Sequence, residues 1–138
     1  MNIERLGPGD IAKLAGVEDL LDGPMLPAAA ERFLNDPNHH LLVAYLDGEP
    51  AGFVSGLEMT HPDKGTEMFL YELGVGEPYR RKGVGSALVE ALKELARVKG
   101  CYGMWVLCDD DNEAAVNTYR RVGGSSSSPT LFDWHFDT

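Results

Sequence analysis

Apolar residues follow two different spacings along the chain, and the spacing changes several times between the termini. In some stretches they recur every three or four positions, as on the buried face of an amphipathic helix. In others they run continuously or alternate with polar residues, as in a β-strand. The first pattern predicts helices over 11–15, 28–34, 84–98 and 112–122, and the second predicts strands over 41–46, 51–57, 68–75, 102–107 and 130–136.

The order of these elements indicates the fold class. Asp47-Gly48 lies between the first two predicted strands and favours the tight turn of a β-hairpin. The segment 68–108 follows as strand, helix and strand, which places its two strands parallel with a right-handed crossover. Because no internal repeat or linker divides the sequence, we expect one α/β (α+β) domain over residues 1–138, with two helices before a mixed sheet.

Composition narrows the classes of function. The 138 residues carry a formal net charge of -10, which opposes binding to nucleic acid and attracts a polycationic ligand. An acidic surface also serves solubility alone, so the charge by itself does not decide between the two explanations. No apolar run approaches the roughly 20 residues of a membrane-spanning helix, and the N-terminus lacks the layout of a secretory signal. We therefore expect a cytoplasmic protein without nucleic acid or membrane partners.

The cysteines and histidines predict neither a disulfide nor a metal site. Cys101 and Cys108 stand near the two ends of one predicted strand, too far apart along an extended chain to bond to each other. The four histidines show no paired spacing with cysteines or carboxylates that would form a metal cage.

The start of the longest predicted helix carries the strongest chemical signal. Arg80, Arg81 and Lys82 stand consecutively in an acidic chain, and Gly83 and Gly85 follow them. The first N–H groups of a helix have no partner within it, and the helix dipole there favours negative charge. Glycines allow a phosphate to approach the main chain. This junction predicts a pyrophosphate site, against the alternative of a solvated basic turn, and it lacks the Gly-Lys-Ser/Thr ending of a Walker loop.

Two motifs in this order resemble those of the GNAT N-acetyltransferase family. Arg80-Arg81-Lys82-Gly83-Val84-Gly85 matches the family's Arg/Gln-x-x-Gly-x-Gly/Ala signature, and Asn112-Glu113-Ala114-Ala115-Val116-Asn117-Thr118-Tyr119 matches its Asn-x-x-Ala-x-x-x-Tyr element. The resemblance implies the GNAT fold, a central mixed β-sheet flanked by helices, and acetyl-coenzyme A as co-substrate. The coenzyme A contacts expected on these grounds are Leu73, Gly74, Val75, Arg80, Arg81, Lys82, Gly83, Val84, Gly85, Ser86, Asn112 and Tyr119.

Within that family, four segments look most like aminoglycoside 3-N-acetyltransferases. They are the strand segment 71–75, the arginine-rich turn, the acidic corner 109–111 and the tail 132–137. The likeness implies acetylation of the 3-amino group of an aminoglycoside, and hence resistance to the antibiotic. The serine run 125–128 departs from the pattern, because β-forming residues are expected there.

A carboxylate and a tyrosine suit the two proton transfers of acetyl transfer. The amine must lose a proton before it attacks, and the leaving thiolate should gain one. Glu72 interrupts an otherwise apolar strand, where partial burial would raise its pKa toward that of a useful base. The alternative is a strand-edge charge facing solvent. Tyr119 matches the family tyrosine that donates a proton to the coenzyme A sulfur, and the alternative for it is core packing.

Three consecutive aspartates form the expected substrate contact. Asp109, Asp110 and Asp111 follow the C-terminal end of a predicted parallel strand, the edge where ligands bind in open α/β sheets. Their carboxylates could orient ammonium groups by charge-assisted hydrogen bonds. The alternative is a solvated turn in which Asp111 or Asn112 caps the next helix.

Three functional hypotheses stay open. The first is N-acetylation of an aminoglycoside, and the second is acetylation of another cationic amine, such as a polyamine, a peptide N-terminus or a lysine. The third is a non-catalytic acyl-coenzyme A-binding regulatory module, in which Glu72 and Tyr119 would have no role. The resemblance also implies pairing of two copies as a homodimer, for which Leu131, Phe132 and Trp134 are either contact or core residues.

Overall fold

The computed structural model describes residues 1–137. At its centre lies a five-stranded sheet with the strand order β1-β2-β3-β4-β5. The strands are β1 (Asn2–Leu6), β2 (His39–Leu46), β3 (Glu49–His61), β4 (Gly65–Val75) and β5 (Met104–Val106). The helices are α1 (Ile11–Ala15), α2 (Pro27–Asn35), α3 (Val84–Val98) and α4 (Glu113–Arg121), with short 3₁₀ helices at Glu18–Leu20 and Glu77–Tyr79.

Strand direction changes at one place in the sheet. Strands β1 to β4 pair antiparallel, and β5 runs parallel to β4. Asp47 and Gly48 join β2 to β3 with φ angles of 51° and 80°, and two successive left-handed residues form the turn that matches the twist of a hairpin. The predicted hairpin, the parallel pair and the mixed sheet flanked by helices are confirmed.

The sheet buries one apolar cluster on each face. Helix α3 covers the first, where Leu42, Val54, Leu70, Leu88 and Leu92 are buried together. Helices α1 and α2 cover the second, which contains buried residues of β1, β2 and β3. Complete burial of one such leucine is worth about 1.5–3 kcal/mol, so the apolar stripe of α3 holds this helix firmly on the sheet. The buried members of the cluster under α1 and α2 are Leu6, Leu14, Val17, Ala30, Leu34, Leu41, Val43 and Phe53.

The expected order at the N-terminus is wrong, because strand β1 precedes the first helix. It lies at the sheet edge, where Asn2 pairs with Tyr45 and Leu6 pairs with Leu41. Its five residues are mostly polar, so pairing with distant β2 determines its structure rather than a local pattern. Asp10 also does not cap α1 with its side chain; its carboxylate accepts a hydrogen bond from the Gly7 N–H at 2.8 Å.

The C-terminal strands differ most from expectation. The strand predicted over 102–107 is confined to Met104–Val106, and the strand predicted over 130–136 is absent from the described chain. Phe132, Trp134 and Phe136 are each at least 75% exposed. Within residues 1–137 the tail does not pair with the free outer side of β5, and an alternating pattern forms a strand only where it finds a partner. The preceding serine run 125–128 has no strand structure either.

A buried polar cluster connects β1, β2 and β3. The His40 side chain is fully buried, with its Nε2 2.6 Å from Glu58 Oε2 and its Nδ1 3.0 Å from Arg5 Nε. Arginine can only donate, so we assign Nδ1 as the acceptor and Nε2–H as the donor of a neutral ring. Burial lowers the pKa of His40, the Arg5 charge lowers it further, and Glu58 opposes both effects.

This cluster predicts a loss of stability in mild acid. The folded chain keeps His40 neutral, whereas the unfolded chain protonates it near its ordinary pKa of 6.5. The contribution of neutral His40 to the free energy of unfolding should therefore be fully present above that pKa. It should fall as the pH drops through the pKa, because unfolding then takes up a proton. We expect His40→Gln to weaken this pH dependence in urea unfolding measured near neutrality and in mild acid. Exposed His135→Gln is the control, and an unchanged slope in both variants would contradict the role of His40.

Candidate active site

Strand β4 loses its β5 partner halfway along its length. The parallel ladder contains three residue pairs, from Met68 opposite Met104 to Leu70 opposite Val106. On the other side, the pairing with β3 shifts register between Ser55 and Gly56, so that Tyr71 is an extra residue of β4. No strand among residues 1–137 pairs with 71–75 on the β5 side. We call the resulting opening the β4–β5 gap; main-chain groups of β4 form one of its walls.

The residues expected to align the coenzyme A arm lie along this wall. The side chains of Leu73 and Val75 pack against the α3 cluster, so these residues offer main-chain groups to the gap. Gly74 faces the opposite side, toward Phe53. The Val75 carbonyl accepts a hydrogen bond from Arg80 Nε at 3.3 Å, which joins the end of β4 to the basic turn.

The basic turn leads directly into α3. Arg81 and Gly83 adopt left-handed φ angles of 62° and 80°, and the first helical hydrogen bond runs from the Ala87 N–H to the Gly83 carbonyl. The N–H groups of Val84, Gly85 and Ser86 therefore have no partner within the helix. Together with three exposed cationic side chains, they form a concave turn suited to an anion. The exposed side chains are those of Arg80, Arg81 and Lys82.

Glu72 lies on the sheet face that α1 and α2 cover. It pairs across the sheet with Ser55, while Gly74 pairs with Phe53 of the α1/α2 cluster, so both residues point to that side. The carboxyl of Asp22 lies near it. Burial has the largest effect and raises the pKa of Glu72, and the neighbouring Asp22 carboxyl raises it further. A carboxyl with a raised pKa can accept a proton near neutral pH.

Asp22 is a candidate site residue that the sequence did not indicate. A Cβ at Gly74 would lie 2.7 Å from the Phe53 ring and 3.1 Å from the Leu20 carbonyl oxygen, so glycine allows the segment after α1 to contact β4. Glu18 holds this segment by accepting a hydrogen bond from the Met25 N–H at 2.7 Å. This close approach allows Asp22 to lie near Glu72. In the sequence, Gly74 was the signal that could have indicated it.

Tyr119 lies on the opposite face of the sheet from Glu72. Its ring packs against the α3 cluster and lines a cavity of about 330 Å³ between α3, α4 and β5. Burial raises the pKa of Tyr119, and Cys108 adds to the effect, so the hydroxyl keeps its proton at neutral pH. The described structure therefore does not bring Tyr119 and Glu72 together; the β4–β5 gap separates them.

The acidic corner lies in an exposed turn before α4. Asp109, Asp110 and Asp111 are all exposed, and the Asn112 N–H donates to the Asp109 carbonyl at 3.1 Å. The Asn112 side chain caps α4 by accepting a hydrogen bond from the Ala115 N–H at 3.2 Å. The capping role given above as the alternative for Asn112 is therefore confirmed. Contacts of the three aspartates with substrate, and of Asn112 with coenzyme A, stay predictions.

Three further features bear on function. Among residues 1–137 no three histidine, cysteine, aspartate or glutamate side chains come close enough to hold a metal ion together. No helix in the same part of the chain has the length and apolar character needed to cross a membrane. Cys101 and Cys108 are both free thiols.

Comparison with known proteins identifies the family. Residues 13–124 match the model of the acetyltransferase (GNAT) family. The chain belongs to this family, whose enzymes transfer the acetyl group of acetyl-coenzyme A. The sheet that opens beside β4, followed by a glycine-rich helix start, is therefore the framework of an acetyltransferase.

Its relatives act on different amines. Thialysine N-epsilon-acetyltransferase of Bos taurus is 31% identical, over 97% of this chain and 82% of that protein. N-alpha-acetyltransferase RimI of Mycobacterium tuberculosis is 32% identical, over 89% of this chain and 77% of that protein. An aminoglycoside acetyltransferase from an uncultured soil metagenomic sample, solved with sisomicin, superposes with a TM-score of 0.87 at 20% identity, over 99% of this chain and 96% of that one. The last likeness concerns the fold alone.

The close contact at Gly74 predicts that Gly74→Ala lowers stability and weakens binding of the amine. The Cβ of Gly74→Ala would meet the Phe53 ring and the Leu20 main chain, which would push the Asp22 segment away from β4. We expect a loss of stability of about 1–3 kcal/mol, as for other overpacked sites, together with a higher KM for the amine. Gly103→Ala is the control, since nothing lies within 4 Å of its Cβ. Thermal unfolding and steady-state kinetics measure both effects, and equal behaviour of the two variants would contradict this packing.

Proposed function

We propose that this protein transfers an acetyl group from acetyl-coenzyme A to the 3-amino group of an aminoglycoside and so confers resistance to it. The carboxyl pair of Asp22 and Glu72, beside the β4–β5 gap, is the observation that supports the proposal most. It offers negative charge and a proton acceptor on the face opposite the cavity at Tyr119. A cationic amine and a thioester could therefore meet in the gap from two sides.

In this proposal the coenzyme binds along the wall of the gap and at the start of α3. Main-chain groups of Leu73, Gly74 and Val75 hold the pantetheine arm as a neighbouring strand would. The pyrophosphate lies on the N–H groups at the helix start, where the left-handed φ of 80° at Gly83 opens the turn. The side chains of Arg80, Arg81 and Lys82 add positive charge.

The proposed reaction is a direct attack. The ammonium passes a proton to the Glu72 carboxylate, directly or through water, and the neutral nitrogen bonds to the thioester carbon. A main-chain N–H near Leu73 stabilises the developing oxyanion. The carbon–sulfur bond then breaks, and the Tyr119 hydroxyl gives its proton to the sulfur. The raised pKa of Tyr119 suits this role, because the hydroxyl is protonated when the thiolate leaves. The second proton that the nitrogen loses on becoming an amide passes through water to the tyrosinate and restores its hydroxyl.

More than one class of cationic amine could serve as the acetyl acceptor. Asp109, Asp110 and Asp111 would orient further ammonium groups of an aminoglycoside at the open end of the gap. The net charge of -10 favours any polycation, so a polyamine or a basic peptide is the second candidate. A coenzyme A-binding module without turnover would have no use for a proton acceptor at Glu72.

A substrate panel with two variants tests the activity. We expect acetyl-coenzyme A-dependent thiol release with gentamicin and little with spermidine or a basic peptide. Glu72→Gln should lower kcat/KM by about a hundredfold or more, and it should remove the acidic limb of the pH profile, which the raised pKa of Glu72 places above its ordinary value of 4.5. Tyr119→Phe should lower kcat with little change in the amine KM.

The controls and contrary outcomes are distinct. Glu90→Gln, on the exposed side of α3, should behave as the unchanged protein. Turnover of spermidine or peptide alone would reassign the acceptor, and mass spectrometry of the product would assign the acetylated amine. Tight coenzyme A binding without turnover of any amine would contradict the proposed enzyme activity and favour a coenzyme A-binding module.

We also propose that two copies associate through the C-terminal tail. Its residues alternate between aromatic and polar, with Phe132, Trp134 and Phe136 exposed, while the outer side of β5 has no strand beside it in the described chain. Light scattering should give the mass of a dimer for the full chain and of a monomer after removal of 130–138. A monomeric full chain at micromolar concentration would contradict the proposal.

A further inference from the structure

A set of stacked aromatic side chains lies beside Glu72 and has no role in the mechanism above. The rings of Phe69 and Trp105 stack with their centroids 4.3 Å apart and an interplanar angle of 27°. The Tyr71 ring meets Phe69 edge-on at 5.8 Å. Tyr71 is 71% exposed and Trp105 is 37% exposed. We call these three residues the aromatic platform.

Strand register places the platform on the same face as Glu72. Phe69 pairs with Leu57 on β3 and with Trp105 on β5, and Glu72 pairs with Ser55. Leu57 and Ser55 are two positions apart on one strand, so they and their partners share one face of the sheet. Asp22 approaches Glu72 from that same side.

The platform is open because the covering helices stop short of it. The buried cluster under α1 and α2 takes its sheet residues from β1, β2 and β3, with Phe53 as its last member toward β4. Neither α1 nor α2 makes an extensive contact with β4 or β5 in the described chain. Exposed stacked aromatics of this size are uncommon on a surface without a binding role.

Charge limits what the platform can bind. The carboxyl pair of Asp22 and Glu72 lies further along β4 on the same face, so negative charge stands beside the rings. Aromatic faces attract ammonium groups and the C–H groups of saturated rings. A ligand with a saturated ring, which presents a face of C–H groups, and with ammonium substituents would contact both the aromatic rings and the carboxyls, whereas a linear polyamine covers the rings poorly.

We propose that the aromatic platform binds a saturated ring of a polycationic acceptor face-on and presents one of its amines to the carboxyl pair of Asp22 and Glu72. This inference rests on the proposed acetyl transfer and specifies its substrate class as ring-bearing polyamines. The platform determines which acceptor binds and takes no part in the proton and acetyl transfers at the gap.

Kinetics of Trp105 variants test the proposal. We expect Trp105→Leu to raise the KM for gentamicin about tenfold, with kcat and the KM for acetyl-coenzyme A within about twofold, and Trp105→Phe to restore part of the loss. Tyr71→Leu, at a more exposed position, should raise the same KM without a change in folding. Val98→Ala, at an exposed position at the end of α3, is the control. An equal rise in the KM for gentamicin and for spermidine, or none for either, would overturn the proposal.

Direct binding separates this inference from the proposed function. The chain has two tryptophans, so in a Trp134→Phe background the fluorescence reports Trp105 alone. Saturable quenching by gentamicin and not by spermidine supports the platform even if the protein acetylates neither amine. Turnover of gentamicin without such quenching leaves the acetyl transfer intact and overturns the platform. A rise in acrylamide quenching of Trp105 after removal of 130–138 would show that the tail covers the rings, which also overturns it.

Discussion

The short ladder between β4 and β5 is the constraint on which the rest of the site depends. Three residue pairs join the strands, and the extra residue Tyr71 then bends β4 away from the straight course that further pairing requires. Main-chain groups that would otherwise complete a ladder become available to a ligand. Because the sheet opens here, its two faces are connected at one point, and each face supplies different chemistry.

In the proposed reaction, each face of the sheet binds a different substrate. The face under α1 and α2 carries carboxyls and aromatic rings, which suit an amine, while the other face carries the half-buried Tyr119 and its apolar cavity, which suit a thioester. The basic turn at the start of α3 lies beyond the end of β4, where Arg80 reaches the Val75 carbonyl. An anionic donor and a cationic acceptor are thus attracted to different places and meet only at the gap.

The sequence predicted the parts of this structure that have local or motif signals. The apolar stripe of α3, the Asp47-Gly48 hairpin and the glycine-rich helix start each follow from a few neighbouring residues. The misses depend on distant contacts instead. Strand β1 exists because β2 pairs with it, and Asp22 reaches Glu72 because Leu20 packs on Gly74. The tail 130–136 has a strand pattern, but a pattern alone forms no strand without a partner.

The carboxyl pair explains why a raised pKa and a cationic substrate are compatible. Without a ligand, burial and the neighbouring Asp22 carboxyl both disfavour the ionised form of Glu72 and so raise its pKa. An arriving ammonium stabilises the ionised form of Glu72 and so opposes this rise in its pKa. Glu72 is then free to accept a proton from the substrate as its positive charge disappears. The same repulsion that strains the empty pair thus makes proton transfer favourable at the moment when the amine becomes neutral.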